Sequence, residues 1–120
     1  MTCAGTAAPY VRAAPPGARS VVRLYGALDA AAAQEVRDRL IDVLHRGASP
    51  LILDLSHVPA CDGDGLAVLV GTQRRARLLD SVVLLAAPCP AVEKVLRAAG
   101  LQRHFTICPD VPVALAALRH

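Results

Sequence analysis

The residues best suited to chemistry cluster in His57–Leu69, HVPACDGDGLAVL. Asp62 and Asp64 flank Gly63, with Gly65 behind them. A carboxylate pair at this spacing suits two kinds of chemistry. Acids ahead of a helix accept from its free N–H groups and meet the positive end of its dipole. Alternatively, Asp62 is a nucleophile and Asp64 a general acid in phosphoryl transfer. Phosphatases built that way also need a lysine and a later acidic pair for magnesium. Lys94 is the only lysine here, and Asp110 is the only acid after Glu93. The ligand spacing of a calcium loop is also absent.

Three other groups of residues invite a reading. Cys3, Cys61, Cys89 and Cys108 lie far apart, without the close pairs of a thiolate metal site. His57, Cys61, Cys89 and Cys108 are expected near one edge of a sheet but on separate loops, so the cysteines read as small buried hydrophobes. No serine or cysteine sits in a nucleophile elbow with a paired histidine. His45, His104 and His120 are expected to be solvated or partly buried. Arg74, Arg75 and Arg77 form the one local basic cluster. They read either as a solvated helix face or as a contribution to binding an acidic partner surface.

Alternating elements must position these residues. A weak strand near Tyr10–Ala13 is followed by a turn at Pro15-Pro16-Gly17. Ser20–Leu28 is β-branched and apolar, with Gly26 as a bulge or close-approach point. Asp29 caps a helix over 30–46, with Ala33, Val36, Leu40 and Leu44 at helical spacing and Gly47 as its stop. Leu51–Leu55 is a continuous apolar run broken only by Asp54, the pattern of a strand covered on both faces. The loop to Gly65 opens a helix over 66–79, with Leu66, Leu69, Val70 and Ala76 expected inward. Ser81–Ala87 is a third buried strand. Pro90 suits the first turn of a helix that Gly100 ends. His104–Cys108 is a short strand, and Asp110 caps a last helix to about residue 118. The order β-β-α-β-α-β-α-β-α implies an α/β domain: a mixed, mainly parallel sheet of about five strands, about four helices and an antiparallel edge. Residues 1–19 read as an N-terminal segment and 20–118 as the domain. Function is expected at the loops after the strands' carboxyl ends, 56–65, 88–90 and 109–110.

Composition narrows the classes. The chain has 120 residues, 54% of them hydrophobic and 19% charged, which excludes intrinsic disorder. It has 23 Ala, 17 Leu and 14 Val against one Phe, two Tyr and no Trp, so the core is aliphatic. A net charge of +3 and three aromatics offer little for base stacking, so no nucleic-acid partner is expected. No apolar run is longer than the six residues of Val82–Ala87, far short of the roughly 20 residues a spanning helix needs. The N-terminus lacks a basic region followed by an apolar stretch, so a cytoplasmic protein with reduced thiols is expected.

The segments LILDLSHVPACDGDGLAVLVGTQRRAR and SVVLLAAPCPAVEKVLRAAGLQRHF, with VVRLYGALDAAAAQEVRDRL upstream, together resemble the STAS domain. More narrowly, they resemble the bacterial anti-sigma factor antagonists. The shared pattern is a strand ending in Asp-Leu-Ser, an Asp-centred helix start, and Gly-Leu entering an apolar helix. A Pro-initiated helix follows, then Leu96, Gly100, Leu101 and Phe105. The resemblance covers about residues 20–118. It implies partner switching: the unphosphorylated antagonist binds an anti-sigma factor with a kinase-like ATPase domain and so frees a sigma factor. Phosphorylation of a Ser or Thr at the helix start then dissolves the complex, because a phosphate adds roughly 1.5 to 2 negative charges at the contact surface. The resemblance also implies a regulatory protein, not an enzyme, and no cofactor.

The chain departs from that pattern at the acceptor. The family motif is Asp-Ser-Ser/Thr-Gly; here the positions are Asp62, Gly63, Asp64 and Gly65. Asp64 stands where the hydroxyl should be, and a carboxylate is no substrate for a serine kinase. Three roles fit it: a partial mimic of the phosphorylated state, a residue the partner tolerates in an unswitchable binder, or a simple helix cap. Ser56, expected at a strand end, and Thr72, expected in mid-helix, are poor substitutes. By resemblance, Asp62 orders the loop and Leu66 packs the helix start. The 56–65 loop and the exposed face of helix 66–79 form the partner surface. The alternative is a non-switching STAS subunit of a transporter or other multiprotein complex.

Overall fold

The computed structural model describes residues 10–13, 20–47 and 50–117. The turn expected at Pro15-Pro16-Gly17, and Cys3, Leu118 and His120, lie outside the described residues. Strand β1 (Tyr10–Ala13) pairs antiparallel with β2 (Ser20–Tyr25). Helix α1 (Ala30–His45), β3 (Leu51–His57), α2 (Gly63–Leu78), β4 (Val83–Ala86) and α3 (Pro90–Ala98) follow. A short 3₁₀ turn at Leu101–Arg103, β5 (Thr106–Cys108) and α4 (Val111–Ala117) complete the order. The sheet runs β1-β2-β3-β4-β5, with β2 through β5 parallel.

This sequential order decides where the helices go. Each crossover moves one strand over in the same direction, and right-handed crossovers place α1, α2 and α3 on one face. The core confirms it. Leu51, Leu53 and Leu55 of β3 pack with Val36, Leu40, Leu69 and Leu96 of those helices. The intervening Ile52 joins Leu84, Ala86, Cys108 and Ala114 under α4 on the opposite face. The continuous apolar run of β3 is thus covered on both sides, as expected. Asp54, buried on the α4 face, is met by Arg23 Nε at 3.4 Å and by the Ser56 N–H at 3.0 Å.

Several boundaries differ from the sequence reading. β2 stops at Tyr25, because Gly26 turns the chain with a φ of 91°. β4 is shorter than the run 81–87. Helix α2 starts at Gly63 rather than residue 66. Its buried positions are Gly65, Val68, Leu69, Thr72 and Ala76, so Leu66 and Val70 are only half-buried at the margin of the core. In α1 the buried first-turn residue is Ala32, with Ala33 beside it.

Candidate functional site

The segment before α2 is held down at several points. Between β2 and α1, residues Gly26–Asp29 run beside the stretch that links β3 to α2. Gly26 N–H donates to the His57 carbonyl (3.1 Å), Leu28 N–H to the Ala60 carbonyl (2.9 Å) and Asp62 N–H to the Leu28 carbonyl (3.2 Å). Leu28 and Cys61 form an isolated parallel bridge. Leu28, Val58 and Cys61 are buried and anchor both segments in the core. What the sequence suggests is a free loop is thus a short strand-like pair with its backbone groups engaged.

Asp62 is the N-cap of α2. Its side chain accepts from the Gly65 N–H at 3.0 Å, and its carbonyl accepts from the Leu66 N–H at 2.9 Å. Replacing it with alanine removes one of the few partners available to the first-turn N–H groups. Asp62→Ala is expected to cost about 1 kcal/mol of stability, measurable by denaturant unfolding.

The glycines on either side behave differently. At Gly65 a Cβ would lie 2.1 Å from the Leu28 carbonyl oxygen and 2.8 Å from Cys61 Sγ. The first turn of α2 therefore presses directly on the stretch between β2 and α1. At Gly63 a Cβ would meet nothing within 4 Å.

Asp64 sits in the first turn of α2, exposed, between these two glycines. It lines a groove of about 160 Å³ between α1 and α2, together with Ala33, Gln34, Arg37, Ala67 and Val68. Arg37 is exposed and, among the described residues, has no ion-pair partner. The groove thus carries one free cation and one free anion on a floor of small apolar side chains. Arg37 and the α1 face are absent from the sequence reading; a cation on an exposed helix face has no distinguishing pattern.

The arginine cluster lies elsewhere. Arg75 and Arg77 are in the last turn of α2, more than ten residues beyond Asp64. At a rise of 1.5 Å per residue that is about 17–20 Å along the helix axis. Ser56 is half-buried at the end of β3, with its hydroxyl 3.1 Å from His57 Nδ1. Thr72 is fully buried, and its hydroxyl donates to the Val68 carbonyl at 2.8 Å. Neither offers an accessible hydroxyl at the groove.

The described cysteines, Cys61, Cys89 and Cys108, are buried thiols outside any disulfide. Cys89 Sγ donates to the Ser56 carbonyl at 3.5 Å, and Cys61 Sγ to the Asp62 carbonyl at 3.6 Å. Among the described residues no three His, Cys, Asp or Glu side chains converge as metal ligands. Burial, and then the neighbouring Asp62 carboxylate, push the Cys61 thiol up to about 11. A raised thiol pKa stabilises the fold while the thiol is protonated in both states. That contribution is lost as pH rises from about 9 through about 11, where the unfolded chain ionises first. Native Cys61 is expected to resist iodoacetamide at pH 8 and to react on unfolding, as read by mass spectrometry of the labelled peptide.

Comparison with known proteins agrees with this fold. The sequence model of the STAS domain matches residues 11–114. An anti-sigma F factor antagonist from Lysinibacillus sphaericus is 27% identical over 82 residues, 68% of this chain and 70% of that protein. The crystal structure of an anti-sigma factor antagonist from Mycobacterium paratuberculosis superposes with a TM-score of 0.86 at 23% identity, covering 98% of this chain and 99% of that one. A sulfate transporter family protein from Wolinella succinogenes gives a TM-score of 0.70 at 21% identity, covering 88% of each chain. At those identities the two structures establish the shared fold. Among the described residues no helix is long and apolar enough to cross a membrane.

Proposed function

This chain belongs to the STAS domain family, and we propose that it is an anti-sigma factor antagonist-like regulator fixed in its binding form. The partner is an anti-sigma factor with a kinase-like ATPase domain, and the complex forms in the cytoplasm. The contact surface is the first turn of α2 with the adjoining α1 groove: Asp62, Gly63, Asp64, Gly65 and Leu66 on one side and Arg37 on the other. Asp62 holds the turn and Leu66 packs behind it. The likeness to the Lysinibacillus sphaericus antagonist supports this class of partner.

One observation carries the reading. Asp64 is exposed at the position that the resemblance assigns to the phosphorylated hydroxyl, with Arg37 lining the same groove. A carboxylate cannot take a phosphate from a serine kinase. It carries one charge, against the roughly 1.5 to 2 of a phosphoserine. A guanidinium in the groove offsets that single charge more fully than it would a phosphate. Asp64 is therefore a weak mimic of the phosphorylated state and a residue that a partner can accept. The complex is accordingly stable to ATP, as binding assays against kinase-type anti-sigma factors of the same organism would show. The second reading is a non-switching STAS subunit of a transporter, favoured by the fold shared with the Wolinella succinogenes protein. Co-purification with a transporter component, and with no anti-sigma factor, would replace the first reading with the second.

A further inference from the structure

We infer that the turn between α2 and β4 is a docking tip for an anionic lipid surface, at the end of the domain opposite Asp64. Leu78 is 78% exposed, Val82 54% and Leu79 41%. These are three of the four exposed large apolar residues among those described, and they fall within one short segment. Arg74, Arg75 and Arg77 immediately precede them and are exposed. None has an ion-pair partner among the described residues. Asp80 is the only acid between Leu66 and Val82.

The turn is preformed. Asp80 adopts a left-handed φ of 55°, and its N–H donates to the Arg77 carbonyl at 3.2 Å. Ser81 N–H donates to the Ala76 carbonyl at 2.8 Å, and the Val82 carbonyl accepts from Leu51 N–H at 2.7 Å. The backbone is thus satisfied internally while the apolar side chains stay in water. Displaying them costs hydration free energy that burial elsewhere would recover.

The shape and charge favour a lipid interface over a protein. The apolar residues stand at a helix end and a reversal of the chain. A protein partner would need a matching pocket for each. A bilayer interface takes isolated apolar side chains without one, and arginines beside them reach the lipid phosphates. The charge of the domain orients it. The parallel crossovers end α1, α2 and α3 at this same end, with His45, Arg75, Arg77 and Arg97 in their last turns. The capping acids Asp29, Asp62 and Asp110 are at the other end. An anionic surface would attract the basic end and leave the groove at Asp64 facing solution. The inference stands independently of the antagonist reading.

The test is sedimentation of the full chain with phosphatidylglycerol vesicles and, separately, with phosphatidylcholine vesicles. Binding to the first and not the second, lost at high salt, is expected. Each arginine near an anionic surface is worth about fivefold in partitioning. Arg75→Glu with Arg77→Glu should therefore lower it by at least about tenfold. Leu78→Ser with Val82→Ser should also weaken binding, with an unchanged melting temperature showing that the fold is intact. Equal binding to both lipids, binding that survives the arginine reversal, or no binding to phosphatidylglycerol overturns the inference. Retention on a polyglutamate column without vesicle binding overturns it in favour of an acidic protein surface.

Discussion

Gly65→Ala is expected to destabilise the domain by about 3 kcal/mol, at the upper end of what overpacking costs. In a domain of this size that lowers the melting temperature by roughly 10 °C. The new methyl would sit 2.1 Å from a backbone oxygen, Leu28 O, which cannot rotate away as a side chain can. Relief requires moving α2 away from the Gly26–Asp29 stretch, which would break the Asp62 N–H to Leu28 carbonyl bond. Gly63→Ala, two residues earlier, is the control. It meets nothing within 4 Å and reduces the freedom of the unfolded chain, so stability should hold or rise by up to about 1 kcal/mol. Thermal unfolding of the two variants checks the pair. Equal losses would mean that the first turn of α2 does not press on that stretch.

Asp64→Ser should convert the protein from one that ATP cannot release to one that it can. The substitution places a hydroxyl at the exposed first-turn position and removes the fixed charge. Pairing it with Gly63→Ser rebuilds the family's Asp-Ser-Ser-Gly run, and the open space at Gly63 admits the extra side chain. In the presence of a kinase-type anti-sigma factor and ATP, the serine variant should gain one phosphate, detected by mass spectrometry. Its affinity should then fall by about tenfold or more, the scale of a small allosteric coupling energy. The wild type in the same mixture should gain none. A serine variant that is phosphorylated yet stays bound would show that position 64 does not lie at the contact.

The order of the nine expected elements was legible because periodicity changes sharply between them: β-branched or continuous apolar runs alternate with helical spacing, punctuated by Asp29, Gly47, Pro90 and Gly100. The start of α2 was not. Two glycines and two acids read as a loop by propensity, yet first-turn N–H groups need no intrahelical partner. A cap at Asp62 is enough to begin the helix at Gly63. The buried stripe runs through Gly65, Val68 and Thr72 as well as Leu69 and Ala76. Gly65 and Thr72 look wrong for a core by type. They fit because Gly65 allows close backbone approach and Thr72 returns its hydroxyl to the Val68 carbonyl. The pairing of Gly26–Asp29 with the stretch before α2 is a contact between distant segments, which no local pattern reveals. The same holds for the groove that Arg37 and Asp64 both line. The separation of the arginine cluster from Asp64 follows from helix length alone and was within reach of the sequence.

The most direct test of the central claim is the affinity of the unmodified protein for kinase-type anti-sigma factors of its own organism, measured by calorimetry with and without ATP. A complex of equal strength in both samples is expected if Asp64 holds the protein in its binding form. No complex for the wild type, with one appearing for Asp64→Ser and dissolving on addition of ATP, would contradict it and make Asp64 a built-in copy of the phosphorylated state.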